Sequence, residues 1–393
     1  MLDYLLNQAQ SQATDLLNGN TSASPVHNIL ANVKSLLMHA QVLPSPTGGV
    51  SVTTISDEGD LVGRNQYESL DTNWSYCVVN WLSHFSASTK APFRTAPPQP
   101  TPPLLANASI TIAGDWGTGT NYRTDHQLAP SGKVAQAMSA LKPDYTVHLG
   151  DVYYSGSTTE EQNNFISAWP AGKTGSFTLN SNHEMYSGAV GYYGTLDNSN
   201  MFEMQGKNSY FAVANQDWLI IGLDTAYHAS ELQLYQNGVL DDGQVAFIDT
   251  CLSANPNPKR VILLTHHNGL SLDGTTPTAL WQQVSNVFVD REVWWYWGHM
   301  HAGVVYCDRD KLGHIIPASA GKSGVVHPRC AGHGAIPAGE PSLLVGNPAA
   351  IWHESHQVPD VLYSGRVANG FVFLSLNGGG LTESFVNEDG LTV

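Results

Sequence analysis

From Leu104 onward, short runs suited to buried strands alternate with segments of helical spacing, and most of the strand-like runs end near a residue able to bind a metal or move a proton. The runs are 109-SITIA-113, 145-YTVHL-149, 176-SFTL-179, 218-WLIIGL-223, 260-RVILLT-265 and 293-VWWYW-297. Between them, 133-KVAQAMSAL-141, 244-QVAFIDTCL-252 and 278-TALWQQVSNVF-288 repeat their apolar residues at helical intervals. Continuous apolar strands separated by helices are the signature of α/β units whose sheets are covered on both faces. Ligands of such folds sit beyond the carboxyl ends of the strands. The chain closes with 371-FVFLSLN-377, a glycine triplet and 381-LTESFVN-387, which reads as a β-hairpin.

The region before Leu104 has a different pattern. Leu2, Leu5, Leu6, Ala9, Ala13, Leu16 and Leu17 predict an amphipathic helix over 2–18, and Ser24 with Pro25 opens a second one through Leu37. The first helix carries no Lys or Arg, so packing against its own chain is favoured over a membrane surface. Six prolines between Pro92 and Pro103 forbid helix or central strand there. The expected organisation is a helical N-terminal region over 1–91, a Pro-rich linker over 92–103 and a catalytic domain over 104–393.

Charge narrows the partners. With 33 acids against 17 bases, a net charge of -16 repels polyphosphate and anionic bilayers over most of the surface, so neither a nucleic acid polymer nor a membrane is expected as partner. No apolar run approaches a bilayer span. The opening MLDYLLNQAQSQ shows no basic and apolar signal pattern, so localisation is left open between the cytoplasm and export after processing. Four widely spaced cysteines suggest neither a disulfide framework nor a thiolate metal site. A P-loop is excluded by Ile316 where its first glycine belongs, and a serine nucleophile elbow is absent from the sequence.

The chemistry-bearing residues fall at five strand ends. They are Asp115 in 114-GDWG-117, Asp151 and Tyr154 in 150-GDVYY-154, Asn182, His183 and Glu184 in 181-SNHE-184, His266 and His267 in 265-THHN-268, and His299 and His301 in 298-GHMH-301. One such residue means little, because buried polar groups are commonly satisfied by backbone. Five clusters at five strand ends form a mixed oxygen and nitrogen donor set without thiolate, suited to iron, zinc or manganese, and large enough for two ions.

In order, these blocks resemble the calcineurin-like metallophosphoesterase superfamily, and most closely its purple acid phosphatase branch. The branch pattern D-x-G, G-D-x-x-Y, G-N-H-D/E, V-x-x-H and G-H-x-H is matched by 115-DWG-117, 150-GDVYY-154, 181-SNHE-184, 263-LLTH-266 and 298-GHMH-301. Ser181 and Leu263 depart from it without replacing a ligand. The resemblance implies a two-sheet β-sandwich flanked by helices. It implies Asp115, Tyr154 and His301 on one metal, Asn182, His266 and His299 on a second, and Asp151 bridging both. The pair would be Fe(III) with a divalent iron, zinc or manganese, because a phenolate favours a ferric ion. Of the neighbouring tyrosines, Tyr154 is assigned over Tyr153, since strand alternation lets only one face the metals.

The resemblance further implies hydrolysis of a small phosphate monoester by hydroxide generated at the metals, with His183 assisting the leaving group and Glu184 orienting His183. A phosphodiesterase or nucleotidase with the same centre is the alternative within enzymes, and a non-catalytic metal-containing binding protein is the alternative outside them. His267 and Tyr186, the latter in the aromatic stretch 185–194, are candidate substrate contacts. His333 reads as part of a surface turn.

Overall fold

The computed structural model describes residues 53–69, 71–87, 89–95, 103–122, 126–257, 259–317 and 323–392. The predicted helices over 2–18 and 24–37, and most of the Pro-rich segment, lie outside the described residues. Two sheets face each other. In the smaller, Asn107–Ala113, Tyr145–His148 and Gly175–Thr178 run parallel, and the hairpin Gly370–Asn377 and Gly380–Asn387 continues the sheet antiparallel beyond Asn107–Ala113. In the larger, Trp218–Gly222, Arg260–Thr265, Glu292–Trp297 and Val326–Ala331 are parallel, while Phe211–Ala214, Gly303–Tyr306 and Ala350–His353 are antiparallel additions at its two ends.

Strand alternation explains the layers. Ile110, Ile112, Tyr145, Val147 and Phe177 of the smaller sheet meet Val213, Ile220, Ile262, Leu264 and Tyr296 of the larger in one buried cluster. Each such side chain fully removed from water contributes about 1.5–3 kcal/mol before entropy is counted. The outer face of the larger sheet, including Leu219, Ile221, Leu263 and Trp295, is covered by Phe247, Ile248 and Cys251 of the helix Asp242–Ala254 and by Leu280, Trp281 and Phe288. Opposite it, the helix Pro130–Leu141 lays Val134 and Met138 on the smaller sheet beside Phe165 and Trp169. The arrangement is a two-sheet α/β sandwich flanked by helices, as the sequence predicts.

Residues 53–69, 71–87 and 89–95 pack onto this sandwich. A short hairpin pairs Thr54–Ile55 with Leu61–Val62, and the helix Ser75–Ala87 sends Cys77 and Trp81 into the cluster that contains Tyr154, Met185 and Tyr192. Among the described residues, no helix is long and apolar enough to cross a membrane.

Candidate metal centre

The parallel strands of both sheets deliver their carboxyl ends to one place, and sharp turns there aim the side chains. Asp115, Asp151, His299 and His301 all have positive φ, at 58°, 75°, 70° and 36°. Left-handed backbone is disfavoured for residues with a Cβ, and its concentration at one spot marks strain held by the surrounding fold. Glycines make the turns possible. A Cβ on Gly150, itself at φ 100°, would stand 2.8 Å from Ser181 Cβ, and one on Gly298 would stand 2.7 Å from Asp115 Oδ2.

Asp151 divides its carboxylate between two donor groups. Its Oδ2 lies 2.9 Å from the Tyr153 hydroxyl, which is also 3.2 Å from Asp115 Oδ1 and 3.2 Å from His301 Nε2. His301 Nε2 is in turn 3.6 Å from Asp115 Oδ1. The other oxygen, Oδ1, lies 3.3 Å from His266 Nε2, which is 2.8 Å from Asn182 Oδ1. The His299 ring stands beside His266, centroids 5.1 Å apart.

Proton counting shows what these groups suit. His266 Nδ1 meets the Leu149 carbonyl at 2.8 Å and must donate to it, so Nε2 of the neutral ring presents a lone pair. That lone pair faces two oxygens, from Asn182 and Asp151, neither of which brings a proton. In the other group the Tyr153 hydroxyl proton faces three acceptors. Converging lone pairs without protons to share are stable around cations.

The crowding of acceptors in a buried place sets the electrostatics. Burial, and then the Asp151 charge, push the Asp115 carboxyl well above its usual range. Burial also opposes ionisation of Asp151, but the neighbouring imidazoles, His183 first, and the hydrogen bond from Asp115 hold that carboxyl well below. Burial keeps His266 low and pushes His299 down to about 3, so both rings are neutral and able to ligate.

The structure departs from the sequence expectations at several residues. Tyr154 does not reach the donor group: its hydroxyl donates to Asp71 at 2.5 Å, and Tyr153 stands among the donors instead. Alternation does not apply, because the strand Tyr145–His148 ends before Asp151 and the two tyrosines lie on the following turn. Glu184 does not orient His183. Its carboxylate accepts the Val152 N–H at 2.9 Å and contacts the Ser181 hydroxyl, which also contacts Asp151 Oδ1. The departure from glycine at position 181 thus ties Glu184 to the shared carboxylate.

His183 is oriented by the Tyr154 carbonyl, to which Nδ1 donates at 2.6 Å, so Nε2 faces the site 3.8 Å from Asp151 Oδ2. His267 has a ring nitrogen within 4.8 Å of ligand atoms on His266 and His299, yet both its nitrogens are engaged. Nδ1 accepts from the Thr225 hydroxyl at 2.8 Å, and Nε2 donates to the Tyr235 carbonyl at 2.7 Å. It braces the site and has no free atom for substrate. Tyr186 is likewise a brace: its buried hydroxyl lies 3.2 Å from Asn182 Nδ2, which turns the amide so that Oδ1 faces His266.

The loop after Ala331, read from sequence as a surface turn, supports the site from below. Ala331 and Gly114 pair through Gly114 N–H at 2.8 Å, Ile336 N–H donates to the Asp115 carbonyl at 3.3 Å, and His333 is buried. Asn369 donates to the His333 and Ile336 carbonyls, and Arg366, paired with Glu388 at 2.6 Å, holds Asn369.

One contribution comes from outside the blocks altogether. Asp60, on the N-terminal hairpin, places Oδ1 3.5 Å from His301 Nδ1, and the hydrogen bond from His301 holds its carboxyl below the usual range. No motif marks it, and the pairing of Asp60 with Ala338, beside the Gly339 N–H that donates to the Gly59 carbonyl at 2.7 Å, brings it there.

A family model described as calcineurin-like phosphoesterase matches residues 108–303. No curated protein matches the chain. Among solved structures, a purple acid phosphatase isolated from yellow lupin (Lupinus luteus) seeds is similar at 15% identity with a TM-score of 0.46, over 76% of this chain and 54% of that one. PhoD is similar at 12% identity with a TM-score of 0.44, over 73% of each chain. The chain therefore spans about half the length of the lupin protein it matches. The matched span contains all five blocks and every strand that delivers a candidate ligand, and through it the chain belongs to the calcineurin-like phosphoesterase family.

Proposed function

We propose that this chain is a dinuclear metal-dependent hydrolase of phosphate monoesters. The family implies two divalent metal ions, and the donor set fits them. Asp115, Tyr153 and His301 would hold one, Asn182, His266 and His299 the other, with Asp151 shared. Cations bound there supply Lewis acidity toward the phosphoryl oxygens and lower the pKa of water. The observation that carries the reading is the split of the Asp151 carboxylate, one oxygen to each group of lone pairs.

The remaining work falls to the protein. His183 Nε2 faces the site with its other nitrogen fixed by a carbonyl, the placement needed to give a proton to a departing alkoxide. Of the surrounding side chains, His301 is 25% exposed and His183 10%, while Asp115 and Asp151 are shut from solvent. The choice of monoesters rests on the resemblance of the five blocks to the purple acid phosphatase branch. The test compares p-nitrophenyl phosphate with bis-p-nitrophenyl phosphate before and after chelation. Expected is faster turnover of the monoester, loss on chelation and recovery on adding metal. Faster diester turnover would overturn the monoester assignment, and activity indifferent to chelation would overturn the metal reading.

The further proposal is that one of the two ions is ferric, with Tyr153 in the role first assigned to Tyr154. A phenolate on Fe(III) gives a visible charge-transfer band that zinc or manganese(II) lacks. Iron-loaded protein under oxidising conditions is expected to be violet to pink, to bleach in Tyr153→Phe and to keep its colour in Tyr154→Phe. Absorption spectra of the two variants at equal iron content decide it, and colour lost only in Tyr154→Phe would reverse the assignment.

A further inference from the structure

Residues 65–69 and 71–74 lie before the span that defines the family, yet they wall the site. Two buried carboxylates fix this segment. Glu68 accepts the Asn65 N–H at 2.7 Å and the Thr53 hydroxyl at 2.8 Å. Asp71 accepts the Tyr67 N–H at 2.9 Å, the Asn73 N–H at 3.0 Å and the Tyr154 hydroxyl. Through the last bond the segment is fastened to the residue whose carbonyl holds His183.

What this rigid turn presents is Trp74. Its indole N–H already donates to the Glu68 carbonyl at 2.8 Å, so what the half-buried ring offers the site is aromatic surface. The ring centroid lies 5.8 Å from His183, 6.0 Å from Tyr153 and 5.0 Å from Tyr154. On its inner side His183 meets the buried Tyr186 ring at 5.0 Å and Tyr153 at 4.5 Å. The imidazole placed to protonate a leaving oxygen is therefore set among aromatic rings, and Trp74 is the one that reaches toward solvent. Across the mouth, at His301, the rim is the carboxylate of Asp60. An organic group attached to the leaving oxygen has an apolar, aromatic side to lie on and a charged side to avoid.

Resting on the reading of the site as a phosphate-ester hydrolase, we propose that Trp74 is a specificity-determining residue, its indole packing against an aromatic organic group of the ester. Flat rings gain from aromatic neighbours beyond the area they bury, which an alkyl chain does not.

The experiment uses metal-loaded full-length protein and two pairs of probes. Benzylphosphonate and ethylphosphonate, which cannot be hydrolysed, are titrated by calorimetry. Benzyl phosphate and ethyl phosphate, whose alcohols are of similar basicity, are compared as substrates. Wild type is expected to bind benzylphosphonate about tenfold more tightly than ethylphosphonate. Trp74→Ala should bring that ratio near one with metal content unchanged, and Trp74→Phe should keep most of it. Should Trp74→Ala fail to fold, Trp74→Leu, which keeps bulk without a ring, takes its place. Equal binding of the two phosphonates by wild type, binding of neither, or a preference that survives loss of the ring would overturn the assignment. A phosphonate preference that disappears with Trp74, in a protein that turns over neither ester, would uphold Trp74 and refute the hydrolase reading.

Discussion

Asp151→Ala is expected to abolish metal binding, taking the protein from about two ions per chain to near none. Its two oxygens face separate donor groups, so removing the carboxylate strips both of their shared charge. Asn182→Ala, which touches only the group around His266, should lower occupancy by about one ion. Elemental analysis of dialysed protein reads both outcomes. Thermal melting gives an independent measure: wild type should gain stability with added metal, because ligands that bind only the folded state raise Tm, and Asp151→Ala should not. Full occupancy in Asp151→Ala would end the dinuclear reading.

His183→Ala is expected to keep its metal and lose turnover by about two to four orders of magnitude, the usual contribution of a positioned acid or base. The defect should depend on the leaving group. Ethoxide must be protonated as it departs, whereas p-nitrophenolate leaves unaided, so the loss should be far smaller for p-nitrophenyl phosphate than for ethyl phosphate. Steady-state kinetics on the two esters measure this. An equal loss on both would remove His183 from the role of proton donor and leave it a structural neighbour of Asp151.

Much of the fold could be read from the chain because buried parallel strands advertise themselves. The runs at 109–113, 145–149, 218–223, 260–265 and 293–297 are rich in apolar, β-branched or aromatic residues, and each is a strand within two residues of its expected bounds. Val326–Ala331 escaped notice because Pro328 sits inside it, yet it pairs on both sides, with Glu292–Trp297 and Gly303–Tyr306. The five blocks meet for the same reason: the carboxyl ends of the parallel strands converge.

Turns carry no such period. Between Tyr153 and Tyr154 the choice depended on a turn, and no repeat along the chain predicts how a turn rotates. Glu184 follows His183 in sequence, but the short helix Asn182–Met185 carries it toward the backbone of Asp151 and Val152. Asp60 and Trp74 belong to a segment with no motif, and reach the site through long-range pairing to Ala338 and Tyr154.

The left-handed backbone at Asp115, Asp151, His299 and His301 limits how this centre can change by single substitution. Asp, Asn and His are the residues with a Cβ that tolerate that conformation best, and β-branched residues tolerate it worst. The loops therefore admit an alphabet of oxygen and imidazole donors and resist Thr or Val at these positions. Single replacements can exchange a carboxylate for an amide or an imidazole, retuning charge and basicity while the chain path is kept. The metals open to descendants of this site are accordingly those that prefer such donors, and the geometry of the turns, as much as selection on chemistry, sets that boundary.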